Sequence, residues 1–207
     1  EKTALDGTKY STVGRVVTAG IGSGTIISKR AVITARHNTL GFDLATFSFN
    51  LEGFPLIRPI KKIEHPTADI SILIFAKDFS EWTDPYFDDA VGQQIDIVGY
   101  GRTASLRSDK TGWNDSGFFT SGTRRAAKNV ISRKVEYNGY QSYQFDYDTP
   151  YAETPDDQKD RFGDGGPIEG EGGTRKGDSG GAYFMTIGGK LRLVGVHTAG
   201  INLGGPG

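Results

Sequence analysis

An all-β chain arranged as two small barrels is the architecture this sequence predicts, and three observations predict it. The 207 residues include 30 glycines, 12 phenylalanines and 9 tyrosines, a composition that suits many short strands and turns and is long enough to bury two small cores. Short apolar runs rich in β-branched residues recur along the chain, each bounded by turn formers. Helical periodicity is scarce.

Taken in order, the first half places apolar runs at 13–17, 25–28, 31–35, 47–51 and 70–74, separated by turn residues as a small barrel requires. From about residue 78 the chain is richer in acids, aromatics and proline and reads as a connector. A second half then runs through 94–100, 128–135, 143–147, 181–187 and 191–198. The expected division is an N-terminal barrel over 1–77, a connector over 78–91 and a C-terminal barrel over 92–207.

The most informative motif is Gly177-Asp178-Ser179-Gly180-Gly181. A serine held between glycines lets the backbone turn sharply, so that NH groups beside the hydroxyl can converge on a developing oxyanion. A serine hydroxyl is a poor nucleophile by itself and needs a base, and the base needs orienting. His37 ends the run Ala31-Val32-Ile33-Thr34-Ala35-Arg36-His37, which reads as a buried strand delivering a side chain to its exposed end. Imidazole is the side chain that ordinarily changes charge near neutral pH. Asp69 stands at the mouth of the apolar run 70–74, where a carboxylate entering a core needs a partner such as an imidazole NH. Read singly, Asp69 is a strand-end cap, the glycine-rich run a loop, and His65 a structural histidine. Their joint occurrence, each at the end of the right kind of segment, favours a catalytic reading of His37, Asp69 and Ser179. The site then forms between the two halves, since neither carries all three residues.

The order His37, Asp69, Ser179 and the local contexts TARH, ADISIL and GDSGG resemble the chymotrypsin-like serine proteases. Gly22-Ser23-Gly24-Thr25-Ile26-Ile27-Ser28, His65-Pro66 and Gly99-Tyr100-Gly101 resemble further family motifs, so the likeness extends from about Val13 to Gly200. It implies two six-stranded antiparallel barrels with the active site in the cleft between them. It also implies a serine endopeptidase that forms an acyl-enzyme on Ser179, with oxyanion donors at the backbone NH groups of Gly177 and Ser179. In the family the equivalent of Asp178 faces away from the cleft and pairs with an amino terminus freed by activation; Ala4-Leu5-Asp6-Gly7 resembles the mature start loosely. Family members continue past the position of Gly207 into one more strand and a terminal helix, so those two elements are expected to be missing here.

There are no cysteines. Ser23 and Asn38 stand at the two ends of a family disulfide, and Arg175 at another family cysteine, so both ends of a bridge are replaced. That is consistent with a bacterial type that relies on packing alone, and the resemblance implies a secreted or periplasmic protein. Glu1 opens no apolar secretion signal, and any such signal is expected to have been removed.

Specificity follows from the same likeness. Gly173 occupies the position at which trypsin-type members carry aspartate, which disfavours cutting after lysine or arginine. His197 falls on the pocket wall with Thr174 beside it, a pair that resembles bacterial glutamyl endopeptidases. Imidazole and hydroxyl can both donate to a substrate carboxylate, with Lys176 near the rim. Thr198, Ala199 and Gly200 would present backbone groups to substrate as an added strand. The expected activity is cleavage after glutamate, and after aspartate as an extension. The alternatives are a pocket for glutamine or small apolar side chains, with His197 as an internally bonded barrel residue, and a protease-like binding module that has lost turnover.

A formal net charge of −1 gives no general attraction to nucleic acid or anionic membranes, and no apolar stretch approaches the roughly 18 residues that span a bilayer. The implied protein is a monomer acting on protein or peptide substrates, without nucleic acid, membrane or cofactor. Between Asp146 and Glu171 acids accumulate (Asp146, Asp148, Glu153, Asp156, Asp157, Asp160, Asp164, Glu169, Glu171). Several oxygen donors could hold structural calcium, the basis of a rival reading as a calcium-dependent structural domain, but without regular ligand spacing a solvated loop and no metal are expected.

Overall fold

The computed structural model describes residues 7–46, 48–106, 113–115, 121–148 and 160–200. The expectations for Ala4 to Asp6, Phe47, Glu153, Asp156, Asp157 and the chain end past Gly200 lie outside the described residues. Within them the protein is all-β, with no α-helix and with every strand pairing antiparallel.

The first sheet is built from β1 (Val13–Val17), β2 (Ile21–Ser28), β3 (Ala31–Thr34), β4 (Ser48–Asn50), β5 (Lys61–Glu64) and β6 (Ser71–Ile74). Its six strands run in the order β4-β1-β2-β3-β6-β5 and curl into a half-barrel. The inner face follows the two-residue period, burying Val16, Ile26, Val32, Phe49, Leu73 and Phe75. Phe49, Phe75 and Phe79 pack ring against ring at centroid distances of 5.5 to 5.9 Å. β5 carries Lys61-Lys62-Ile63-Glu64 on the sheet edge, where charged side chains discourage pairing with another chain.

The second half contributes β7 (Gln94–Gly99), β8 (Ala104–Leu106), β9 (Trp113–Asp115), β10 (Arg125–Val130), β11 (Arg133–Tyr137), β12 (Tyr140–Gln144), β13 (Ala182–Ile187) and β14 (Lys190–Val196). Four of them form a sheet in the order β10-β7-β13-β14, while β8-β9 and β11-β12 are separate hairpins. This departs from a second six-stranded sheet. The apolar run 128–135 is not one strand, because the chain leaves the ladder at Ile131. That residue is fully buried and donates to the Gln93 carbonyl at 3.0 Å, and Ser132 donates to Gln144 at 3.0 Å, which starts a new hairpin.

The two sheets share packing. Tyr10 and Val13 are buried in the same cluster as Val98, Tyr100, Ala126, Ala182, Phe184 and Leu193, and Tyr10 stacks on Phe184 at 5.9 Å. The connector is held from both sides, Thr83 donating to the Ile26 carbonyl at 2.9 Å and Tyr86 to the Leu193 carbonyl at 2.8 Å. These contacts fix one sheet relative to the other and so fix the groups that meet at their junction.

Candidate active site

β3 ends at Thr34, and the chain turns through a short 3-10 turn, Arg36–Asn38, that leaves His37 exposed. β6 pairs with β3, with Thr34 opposite Ser71, and this register lays Asp69 beside the turn. Asp69 then grips His37 twice: its Oδ1 accepts the His37 backbone NH at 2.8 Å and its Oδ2 lies 2.6 Å from Nδ1. A carboxylate can only accept, so Nδ1 carries the ring proton and Nε2 is left as the basic nitrogen. His65 accepts the Ala68 NH on Nδ1 at 2.8 Å, bracing the loop that presents Asp69, as its structural reading expects.

Ser179 is anchored through its backbone. Its carbonyl accepts from the Ser23 NH at 2.7 Å and from Asn38 Nδ2 at 2.8 Å. Ser23 and Asn38 thus both hold the serine loop by hydrogen bonds. Ser23 Oγ also donates to the Gly177 carbonyl at 3.1 Å and accepts the Tyr100 NH at 3.0 Å, so one buried serine ties β2, the end of β7 and the serine loop together. Because Asn38 follows His37 directly, the imidazole turn and the serine loop are joined side by side.

Within the loop the backbone NH groups divide into two sets. Those of Asp178, Gly180 and Gly181 are committed, to the carbonyls of Arg175 (2.9 Å), His197 (2.7 Å) and Asp178 (2.7 Å). Those of Gly177 and Ser179 donate no hydrogen bond among the described residues. The Asp178 carboxylate is buried and accepts the NH groups of Gly101 and Arg175, each at 2.8 Å. Gly99 and Gly101 leave room for it, since a Cβ at either would overlap that carboxylate. The Ser179 hydroxyl and the His37 ring share no hydrogen bond. In ligand-free sites such bonds are often long and tighten when substrate arrives.

Gly180 is the tightest point of the loop. Its φ is +82°, and a Cβ there would run into the Ser23 carbonyl and Thr34 Oγ1 and come within 2.9 Å of the Ala35 nitrogen. Gly180→Ala combines a left-handed backbone penalty with overpacking, so a loss of roughly 2 to 5 kcal/mol in unfolding free energy is expected. Denaturant titration checks this, and an unchanged midpoint would contradict the packing described.

Of the expected pocket residues, Gly173 and Thr174 are half-buried, Lys176 is exposed and His197 is buried. Thr174 makes no hydrogen bond to His197. His197 is bonded to Tyr183, whose Oη lies 2.6 Å from Nδ1. Burial raises the Tyr183 pKa well above its ordinary value, with the charge of Asp178 adding to the effect, so the phenol stays protonated. A Cβ at Gly173 would meet nothing within 4 Å. Thr198, Ala199 and Gly200 lie just past β14, and their backbone groups carry no hydrogen bond among the described residues. A separate cleft of about 410 Å³, lined by Lys9, Thr12, Trp82, Thr83 and Leu191 among others, shares no residue with this region.

The acidic segment is not uniformly solvated. Asp148 is only 3% exposed, and burial followed by the charges of Asp146, Glu171 and Asp164 pushes its pKa up to about 8. Glu171 is also raised, chiefly by burial. Its carboxylate clamps the loop by accepting the NH groups of Asp148 (2.5 Å) and Ile168 (2.9 Å).

No family model matches the chain, and no curated protein matches it. Among the described residues no helix is long and apolar enough to cross a membrane.

Proposed function

We propose that the protein is a serine endopeptidase of the chymotrypsin-like type, with two barrels enclosing the cleft in which Ser179, His37 and Asp69 act. The observation that carries the reading is the doubly held His37, tied through Asn38 to a serine loop whose Gly177 and Ser179 NH groups are uncommitted.

The chemistry runs as follows. Ser179 Oγ attacks the peptide carbonyl carbon while His37 Nε2 takes the hydroxyl proton, and the carbonyl oxygen becomes an oxyanion held by the NH groups of Gly177 and Ser179. Each such donor is typically worth about 3 to 4 kcal/mol in the transition state. Collapse of the intermediate breaks the carbon–nitrogen bond, and His37 returns the proton to the leaving amine. Water activated by the same imidazole then releases the acid product and regenerates Ser179. Asp69 holds the tautomer and the charged imidazolium throughout.

Cleavage after glutamate, and after aspartate as an extension, is the specificity proposed. Support comes from Gly173, which supplies no carboxylate for a basic side chain, from the exposed Lys176, and from His197, whose ring is oriented by Tyr183. Thr198 to Gly200 offer an extended substrate backbone groups that are unpaired among the described residues. Such an enzyme acts as a monomer on proteins or peptides outside the cytoplasm or in a periplasm. A second reading, a binding module without turnover, draws on the absent Ser179–His37 hydrogen bond.

Digesting a mixed peptide pool and tallying the residue before each cut tests both. Enrichment in glutamate that collapses in His197→Ala is expected. Enrichment in lysine or arginine overturns the pocket argument, and an undigested pool with retained peptide binding favours the binding module.

A further inference from the structure

The carboxylates of Asp146 and Asp148, just past β12, meet that of Asp164 with one oxygen from each lying within 4.8 Å of the others. That is the span expected of oxygens sharing one calcium ion, since ligands at about 2.4 Å from a centre are at most about 4.8 Å apart. A second observation concerns Asp148 alone. The residue is 3% exposed and its Oδ1 is buried without any hydrogen-bond partner, which for a carboxylate oxygen is costly unless a cation takes the place of a donor. Among the described residues none of the three acids is paired with a lysine or arginine.

The neighbours hold both oxygens of Asp146 and one of Asp164, and leave Asp148 Oδ1 open. Asp146 Oδ2 accepts the NH groups of Arg161 (2.7 Å) and Phe162 (3.1 Å), and Ser132 Oγ donates to Asp164 Oδ2 at 2.5 Å and to Asp146 Oδ1 at 3.4 Å. Glu171 is spent on backbone NH groups and acts as a clamp. We propose that Asp146, Asp148 and Asp164 bind a calcium ion, with Asp148 Oδ1 as a direct ligand. Oxygen-only donors on an irregular segment suit calcium, which accepts uneven geometry, over magnesium, which demands a near-ideal octahedron.

The site's position gives the ion a role. The segment ends beside β10, where the Gly170 carbonyl accepts the Lys128 NH at 2.9 Å and the Gly172 NH donates to the Lys128 carbonyl at 3.0 Å, immediately before Gly173. Calcium therefore fastens the approach to the Ser179 loop.

The test is the thermal midpoint of the chelator-treated full chain with calcium or magnesium added. With calcium at a hundredfold excess over its dissociation constant, a rise of about 5 to 10 °C is expected, with magnesium giving far less. Asp164→Asn removes a charge from a like-charged cluster, and Asp148→Asn replaces a carboxyl whose charged form burial already disfavours, so their midpoints in chelator match or exceed the parent while the calcium response disappears. A parent midpoint unmoved by millimolar calcium overturns the proposal. An equal response to magnesium overturns the choice of metal, and a calcium response retained in both variants overturns the site. The measurement reads unfolding and not cleavage, and Ser179→Ala should respond to calcium as the parent does, so its outcome stands apart from that of the protease reading.

Discussion

Ser179→Ala will abolish labelling by a serine-directed phosphonate and lower peptide hydrolysis by about 10⁴- to 10⁶-fold, leaving the fold in place. The two halves of that expectation come from different atoms. The hydroxyl oxygen is the group proposed to bond with substrate, and it takes part in no hydrogen bond among the described residues. What fixes the loop is the Ser179 carbonyl, held by Ser23 and Asn38, and the Gly180 NH, held by the His197 carbonyl. All of these persist in alanine, so unfolding free energy should change by no more than about 0.5 kcal/mol. Comparing labelling, turnover and denaturant midpoint in one preparation separates a chemical loss from a folding loss. Equal labelling of parent and variant would remove Ser179 from the mechanism.

Asp69→Asn is expected to cost about 10⁴-fold in kcat with little change in stability. Both carboxylate oxygens of Asp69 accept from His37, one from the backbone NH and one from Nδ1. An asparagine offers one acceptor and one donor in the same space. If its NH2 faces the ring, Nδ1 must give up its proton and Nε2 carry it, so the imidazole can no longer receive the serine proton. If its NH2 faces the backbone NH, two donors collide and the turn must shift. Steady-state kinetics on a peptide substrate, with the His37 tautomer read by nitrogen NMR, checks the prediction. A kcat within tenfold of the parent would mean that the Asp69 contact positions the turn without serving catalysis.

How far the sequence anticipates the structure depends on the range of the interaction concerned. The apolar runs around β1, β3, β6, β7, β13 and β14 are visible because burial imposes a short period on neighbouring residues. β5 escapes because Lys61-Lys62-Ile63-Glu64 is an edge strand in which Lys61 and Ile63 are exposed and the half-buried positions hold charged side chains, so its sequence carries no apolar period. The break at Ile131 escapes because it is made by a distant carbonyl, that of Gln93. At the site, His37 and Asp69 can be named in advance from their positions at segment ends, and the structure brings them together. The placing of Ser23, Asn38 and Gly101 as supports of the serine loop is legible only in three dimensions, since each acts through a hydrogen bond to a residue far away in the chain. The acidic cluster is hidden for the same reason: Asp146, Asp148 and Asp164 show no regular spacing, and what distinguishes Asp148 from its neighbours is burial.

The holding of the serine loop by Ser23 and Asn38 has a practical outcome. The ties described between the serine loop and the imidazole turn are hydrogen bonds, and the 207 residues contain no thiol to oxidise or bridge to reduce. Assembly of this junction is therefore indifferent to redox potential. The chain can reach its folded form in the reducing interior of an expression host as readily as in an oxidising medium, and thiol reagents should leave its structure untouched.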